Sequence, residues 1–305
     1  MSSPRIAIGP EREGFAVAAV TAGGGRPADA DGPADGLVWL AAADIAGLRT
    51  ALDATGARWV QLSSAGVELA AAAGVFDGEQ TWTSAKGLYA EPVAEHALTL
   101  ALASLRLLPA RVTATTWGHP AGESLYDQPV TILGGGGITA SLLALLAPFR
   151  VTSTVVRRTA EPVPGASRTT ATGDLMSALP GAKVVFLALA LTPDTERIIG
   201  AEQLAVMGPG SWLINVARGQ HVDTAALVSA LDNGVIAGAG LDVTDPEPLP
   251  DGHPLWRQRR CIITPHTADT PEMTTGPLAR RIRDNVAKLA AGQPLEGLVD
   301  PAAGY

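Results

Sequence analysis

Cysteine is all but missing from this chain of 305 residues, since Cys261 is the only one. No disulfide can form within the chain, which fits a reducing compartment. Lysine is nearly as scarce, and the formal net charge is −8. Binding to nucleic acid or an anionic membrane needs clustered cations, so both partner classes are disfavoured. The few arginine clusters leave room for a small anionic ligand. No long hydrophobic run exists either. The most apolar helix candidate, Ala97 to Leu108, is too short to span a bilayer and follows Glu95 and His96. Met1-Ser2-Ser3-Pro4-Arg5 lacks the apolar core of a signal peptide, so a cytoplasmic protein is expected. Cys261 has neither a histidine at a suggestive spacing nor a metal motif around it, which argues against thiol and zinc chemistry.

What is present is apolar residues in short, alternating blocks. In the first third, strands are expected at Arg5 to Ile8, Phe15 to Val20, Leu37 to Leu40 and Trp59 to Leu62. Helices are expected near Asp44 to Ala54 and from about Gly66, and the Gly/Pro/Asp-rich stretch from Gly23 to Gly36 reads as a surface loop. A second alternation follows. Strands Val130 to Leu133, Val151 to Val156, Lys183 to Leu189, Ser211 to Val216, Ile236 to Val243 and Cys261 to Thr264 have the continuous apolar character of buried parallel strands. A helix runs from Ile138 to Ala147, and another is capped by Asp223 and ended by Asn233-Gly234. Leu278, Ile282, Val286 and Leu289 recur at helical spacing near the C-terminus. Strand alternating with helix predicts α/β architecture with two parallel-sheet domains, joined by the apolar helix from Ala94 to Leu107. An active-site cleft between them is expected.

The strand ending at Leu133 runs into Gly134-Gly135-Gly136-Gly137-Ile138-Thr139. Gly134 and Gly136 stand where a dinucleotide fold needs a tight turn and close approach of backbone to pyrophosphate, and Gly137 and Ile138 open the helix whose amides would receive it. A flexible glycine loop is the bland alternative, but strand before and helix after favour the cofactor. No lysine makes this a Walker loop, and Thr139 replaces the usual third glycine. At the end of the next strand, where NAD-binding folds carry an acid for the ribose, stand Arg157, Arg158 and Thr159. Guanidinium and hydroxyl groups suit a 2′-phosphate, so NADP(H) is expected over NAD(H), with NAD(H) still accepted; solvated strand-end charges are the alternative.

Three polar residues lie just past later strands: Arg218, Glu247 and His266. A guanidinium grips and polarises a keto acid, an imidazolium supplies a proton, and a carboxylate steadies the imidazolium. Singly, each also fits a surface or turn role, and spacing alone does not bring them together. His96 reads as structural at a helix start, while His119 and His221 read as solvated loop residues. Trp82, Tyr89 and Trp117 read as packing residues that could also wall a pocket.

The run Asn215-Val216-Ala217-Arg218-Gly219 with Val222-Asp223 resembles the arginine signature of the D-isomer-specific 2-hydroxyacid dehydrogenases. Gly238-Ala239-Gly240-Leu241-Asp242-Val243 with Glu247-Pro248, and Thr264-Pro265-His266-Thr267-Ala268, are similar to that family's glutamate and histidine segments. The resemblance extends through Leu191-Thr192-Pro193, Pro92-Val93-Ala94-Glu95-His96, Trp59-Val60-Gln61, Ser64-Ala65-Gly66-Val67 and the tail Val299-Asp300-Pro301. The resemblance implies that Arg218 binds and polarises substrate, His266 donates the proton and Glu247 is its partner. It implies a substrate-carboxylate loop at Ser64, Ala65 and Gly66, and cofactor contacts at Ala190, Val216, Ala217 and Asp242. It further implies a homodimer, a C-terminal segment after about Thr274 folded back on the first domain, which makes the domains 1–93 plus 274–305 and 94–273, and a small 2-keto or 2-hydroxy acid of glyoxylate or hydroxypyruvate type as substrate. Other readings are a non-catalytic dinucleotide-sensing or scaffold protein and, less favoured, a phosphoglycerate or formate dehydrogenase. Thr139, Ala190 and Asp269 depart from the family pattern, the last placing a carboxylate near His266.

Overall fold

The structure, a computed structural model, describes residues 3–76 and 78–300. Met1, Ser2 and Pro301 of the segments read above therefore lie outside the described residues. The chain divides into two compact units, Met1–Tyr89 with Thr270–Tyr305, and Ala90–Asp269.

The first unit contains β1 (Arg5–Gly9), α1 (Gly14–Ala22), β2 (Arg26–Asp29), β3 (Gly36–Trp39), α2 (Ile45–Thr55), β4 (Trp59–Leu62), α3 (Glu68–Ala72) and β5 (Thr81–Thr83). Its five strands pair in the order β2-β1-β3-β4-β5, all in parallel. Two expectations are corrected. Phe15 to Val20 lies in helix α1, where Ala16, Ala19 and Val20 are the buried residues. Their three- and four-residue spacing is that of one helical face. The stretch Gly23 to Gly36 is not wholly loop, because Arg26–Asp29 forms edge strand β2 along β1. Pro27 is tolerated there because an edge strand need not donate on both sides. Helix α2 starts where Asp44 accepts a hydrogen bond from the Gly47 amide at 2.8 Å and ends at Gly56 with φ 58°. Capping at both ends fixes this helix locally.

The last helix of the chain belongs to this unit and runs Pro271–Ala291. Leu278, Ile282 and Val286 are buried against Ile6, Ile8 and Val20. Each such side chain contributes about 1.5–3 kcal/mol when fully buried. Leu289, the fourth residue of the stripe, packs on the same cluster while partly exposed.

The second unit opens with α4 (Ala90–Leu105) and α5 (Leu108–Val112), followed by β6 (Pro129–Leu133), α6 (Gly137–Leu146), β7 (Thr152–Arg157), β8 (Arg168–Ala171), α7 (Leu175–Ala178) and β9 (Val184–Leu187). It continues through α8 (Ala201–Met207), β10 (Trp212–Asn215), α9 (Thr224–Asp232), β11 (Gly238–Leu241) and β12 (Cys261–Ile263). The C-terminal helix of the first unit is then α10. Seven parallel strands pair as β12-β11-β10-β9-β6-β7-β8. The order reverses next to β6, the strand that leads into the glycine turn. Every residue of β9, β10 and β11 is buried, as expected for strands covered on both faces. Asp223 accepts from the Ala226 amide at 2.9 Å and starts α9. Because all strands are parallel, their carboxyl ends share one edge, where such sheets place ligands.

Candidate active site

Arg218, Asp242, Glu247 and His266 all follow the carboxyl ends of adjacent strands. Arg218 lies three residues beyond β10, Asp242 directly follows β11, and His266 lies three residues beyond β12. Glu247 and His266 meet directly, Oε1 lying 2.6 Å from Nδ1. Both side chains remain accessible, at 38% and 42% exposure. A carboxylate on Nδ1 leaves Nε2 as the nitrogen free to present a proton.

The backbone holds His266 in a demanding conformation. Its φ is +50°, a region that non-glycine residues enter at a cost and mainly where surroundings enforce it. The enforcement comes from Asp242. Its carbonyl accepts the His266 amide at 2.8 Å, and its carboxylate accepts the amides of Thr267 at 2.9 Å and Ala268 at 3.1 Å. The Thr264 hydroxyl donates to Asp242 Oδ1 at 2.5 Å, and His96 Nε2 reaches Thr264 Oγ1 at 3.0 Å and Asp242 Oδ1 at 3.3 Å. Burial alone would push the Asp242 carboxyl up. The His96 ring, the Thr264 hydroxyl and the two amides outweigh that and hold it at about 2. Asp242 is thus a buried anion around which the histidine turn is wrapped. His96 lies inside α4 rather than at its start and anchors that network.

Arg218 is half-buried and extended, with Nη1 donating to the Ala217 carbonyl at 2.7 Å. Asn215 fixes its turn, donating to the Arg218 carbonyl at 2.9 Å and accepting the Ala217 amide at 3.0 Å. Gly219 explains why this turn lies against the glutamate segment. A Cβ there would stand 1.9 Å from the Thr244 carbonyl oxygen and 2.6 Å from the Asp245 nitrogen. Only glycine permits that approach. Arg218 and His266 also act on a common group, Asp269. Burial raises the Asp269 carboxyl, the positive charges of His266 and Arg218 pull it down, and Asp242 pushes it up. Asp269 therefore lies in the field of both cations and adds negative charge beside His266.

The glycine turn fits a dinucleotide. Gly134 has φ +110°, and a Cβ there would lie 2.0 Å from the Ala188 carbonyl oxygen. Glycine is required on both counts. At Gly136 a Cβ would meet nothing within 4 Å, and α6 starts at Gly137 without a side-chain cap. Open space and uncapped first-turn amides at Gly137 and Ile138 suit an anionic pyrophosphate. Thr139 is fully buried and donates to the Gly134 carbonyl at 2.9 Å, so the residue replacing glycine tightens the turn. The Arg157 side chain packs over Gly135, within 3.0 Å of where a Cβ would stand, and reaches Glu161 at 3.7 Å. Arg158 and Thr159 are exposed. Val216 and Ala217 are buried beside Arg218, and the Ala190 carbonyl accepts the Thr195 hydroxyl at 2.8 Å.

Ser64, Ala65 and Gly66 follow β4 in the first unit. Ser64 Oγ donates to the Gly66 carbonyl at 2.7 Å, and the Ser64 carbonyl accepts the Ala85 amide at 2.9 Å. Trp82 is a core residue, and the Tyr89 hydroxyl donates to the Ser63 carbonyl at 2.7 Å. Trp117 is 98% exposed, so it packs in no core of this chain. His119 is exposed. His221, expected to be solvated, is wholly buried. Burial pushes the Cys261 thiol up to about 12, which leaves it without thiolate character near neutrality. Among the described residues no cluster of His, Cys, Asp and Glu could hold a metal, and no helix is long and apolar enough to cross a membrane.

Comparison with known proteins gives the family and the fold. Residues 97–268 match the family model described as D-isomer specific 2-hydroxyacid dehydrogenase, NAD binding domain. An uncharacterized protein in the proB 3′ region of Corynebacterium melassecola is 43% identical over 257 residues, covering 81% of this chain and 84% of that one. Glyoxylate/hydroxypyruvate reductase A of Serratia proteamaculans is 35% identical over 178 residues, 58% of this chain and 56% of that one. A crystal structure of a D-isomer specific 2-hydroxyacid dehydrogenase from Xanthobacter autotrophicus Py2, in complex with NADPH and MES, superposes over the full length of both chains. Its TM-score is 0.86 at 27% identity.

Proposed function

The chain belongs to the D-isomer specific 2-hydroxyacid dehydrogenase family, and from that premise we propose that it reduces a small anionic 2-keto acid to the D-2-hydroxy acid with NADPH. The observation that carries this reading is the 2.6 Å contact between His266 and Glu247 at the strand exits that also present Arg218. A protein that only binds a dinucleotide has no use for a paired imidazole and carboxylate there. A reduced nicotinamide, when bound, supplies the hydride for the keto carbon. Arg218 grips the keto acid and polarises its carbonyl through fixed N–H donors. His266, protonated, gives its Nε2 proton to the carbonyl oxygen as negative charge develops there. Glu247 holds the ring by Nδ1 and stabilises the imidazolium. Asp242 fixes the turn, and Asp269 adds a second carboxylate to the field of His266. In this reading Ser64, Ala65 and Gly66 offer backbone amides suited to a carboxylate.

Gly134, Gly136, Gly137 and Ile138 would hold the pyrophosphate, and Ala190, Val216, Ala217 and Asp242 would hold the rest of the cofactor, which would supply the hydride. Arg157, Arg158 and Thr159 receive the 2′-phosphate and give NADPH its preference over NADH. The Serratia reductase supports glyoxylate and hydroxypyruvate as the first substrates to try, and the Xanthobacter complex supports NADPH. A cytoplasmic homodimer belongs to the same proposal. The test is oxidation of NADPH and of NADH against a panel of 2-keto acids, with product chirality determined. Turnover of glyoxylate or hydroxypyruvate, faster with NADPH and giving D-glycerate from the latter, is expected. Cofactor binding without turnover of any keto acid would leave a dinucleotide sensor instead.

A further inference from the structure

His221 is completely buried, yet both its ring nitrogens face backbone oxygens. Nδ1 lies 3.0 Å from the Thr195 carbonyl oxygen and Nε2 lies 3.2 Å from the Leu189 carbonyl oxygen. A carbonyl oxygen only accepts. A neutral imidazole has one N–H and one bare lone pair, so either tautomer would set lone pair against lone pair at one contact. Only the imidazolium donates at both.

The two acceptors belong to one short loop after β9, the loop containing Ala190. Thr195 closes that loop on itself, its hydroxyl donating to the Ala190 carbonyl at 2.8 Å. On its other side His221 is part of the Arg218 turn. Its amide donates to the Arg218 carbonyl at 3.3 Å, and its carbonyl accepts the Ile199 amide at 3.0 Å. The Arg197 amide donates to the Gln220 carbonyl at 2.8 Å. The charged side chains on the surrounding segments are Asp194, Glu196 and Arg197 on the loop, Arg218 and Asp223 on its own turn, and Asp245 on the segment packed under Gly219. Burial works against a charge on this ring, and the two carbonyl oxygens that each call for an N–H donor are what favours it.

We propose that His221 is a positioning residue held as an imidazolium, clamping the loop 189–195 to the turn that presents Arg218. Losing its second proton releases one carbonyl, and the loop then no longer holds the cofactor firmly. The cofactor half of this proposal rests on the functional reading above.

Two measurements on the full chain test it. In protein labelled with ¹⁵N-histidine at pH 7.5, nitrogen-detected ring correlations should show one histidine protonated at both nitrogens and shielded from solvent. That signal is assigned by its loss in His221→Gln or, should that variant not fold, by elimination with single variants of His96, His119, His253 and His266. A ring carrying one proton overturns the clamp. In parallel, NADPH affinity is read by fluorescence across pH. The wild type should weaken about tenfold, the worth of one charge-assisted bond, over the pH range in which the His221 signal loses its second proton. His221→Lys, which retains a cation with several donors, should remain tight over that range. Unchanged affinity while the ring titrates overturns the positioning role. Wild-type protein that binds neither NADPH nor NADH overturns the cofactor reading itself, while the ring signal still decides the clamp.

Discussion

His266 Nδ1 and Glu247 Oε1 lie 2.6 Å apart although nineteen residues separate them in the chain. The pair forms because β11 and β12 are parallel neighbours, so the segments leaving them emerge at one edge of the sheet. The contact decides which imidazole nitrogen points outward, and the proposed chemistry follows from that choice.

Glu247→Gln removes the charge and keeps the shape. The imidazolium loses its anionic partner and the ring its anchor at Nδ1. The value of kcat/KM for keto-acid reduction should fall by about 10- to 100-fold, less than the about 10²–10⁴-fold that a positioned acid–base group itself contributes. Steady-state kinetics with NADPH measure the loss. A value within a few-fold of wild type would mean that the pair has no part in proton delivery.

Arg218→Lys keeps the charge but loses the planar fork that matches a carboxylate or carbonyl with two parallel bonds. The expected outcome is a loss of about 100-fold in kcat/KM, seen in both KM and kcat, with NADPH affinity little changed. A variant within a few-fold of wild type would remove Arg218 from the substrate's grip.

Replacing Arg157 and Arg158 together by alanine should weaken NADPH by at least about tenfold, since each charge-assisted bond contributes about 1.5–3 kcal/mol. NADH should be spared. Equal losses for both cofactors would refute a 2′-phosphate site at the end of β7.

Much of this was legible from sequence because it rests on local rules. The glycine turn after a strand, the Asp44 and Asp223 caps and the stripe Leu278-Ile282-Val286 each depend on neighbours within a few residues. Phe15 to Val20 was not legible, because six consecutive small or apolar residues satisfy strand and helix patterns alike. Strand β2 was hidden by the Gly, Pro and Asp around it, and only pairing with β1 makes it a strand. His221 looked solvated because Gly219 and Gln220 flank it. Its burial comes from a loop some thirty residues upstream. The His96–Thr264–Asp242 network joins three distant segments, and no spacing in the sequence announces it.

Asp242 gives a pH signature. A carboxyl titrates near 3.9 when unfolded and at about 2 in the folded protein. Its contribution is fully present above about pH 4 and is lost as pH falls through about 2, amounting to about 2–3 kcal/mol. Asp242→Asn should therefore be less stable than wild type at pH 7, and the gap in urea melts should narrow as pH falls from 5 toward 2. A gap independent of pH would mean that the negative charge of Asp242 does not stabilise the turn.

The most direct measurement compares hydroxypyruvate-dependent NADPH oxidation by wild type and His266→Ala at saturating cofactor. The account predicts turnover by the wild type and a loss of about 10²–10⁴-fold in the variant, with NADPH affinity preserved. Equal rates in the two proteins, or no turnover in either despite bound NADPH, would contradict it.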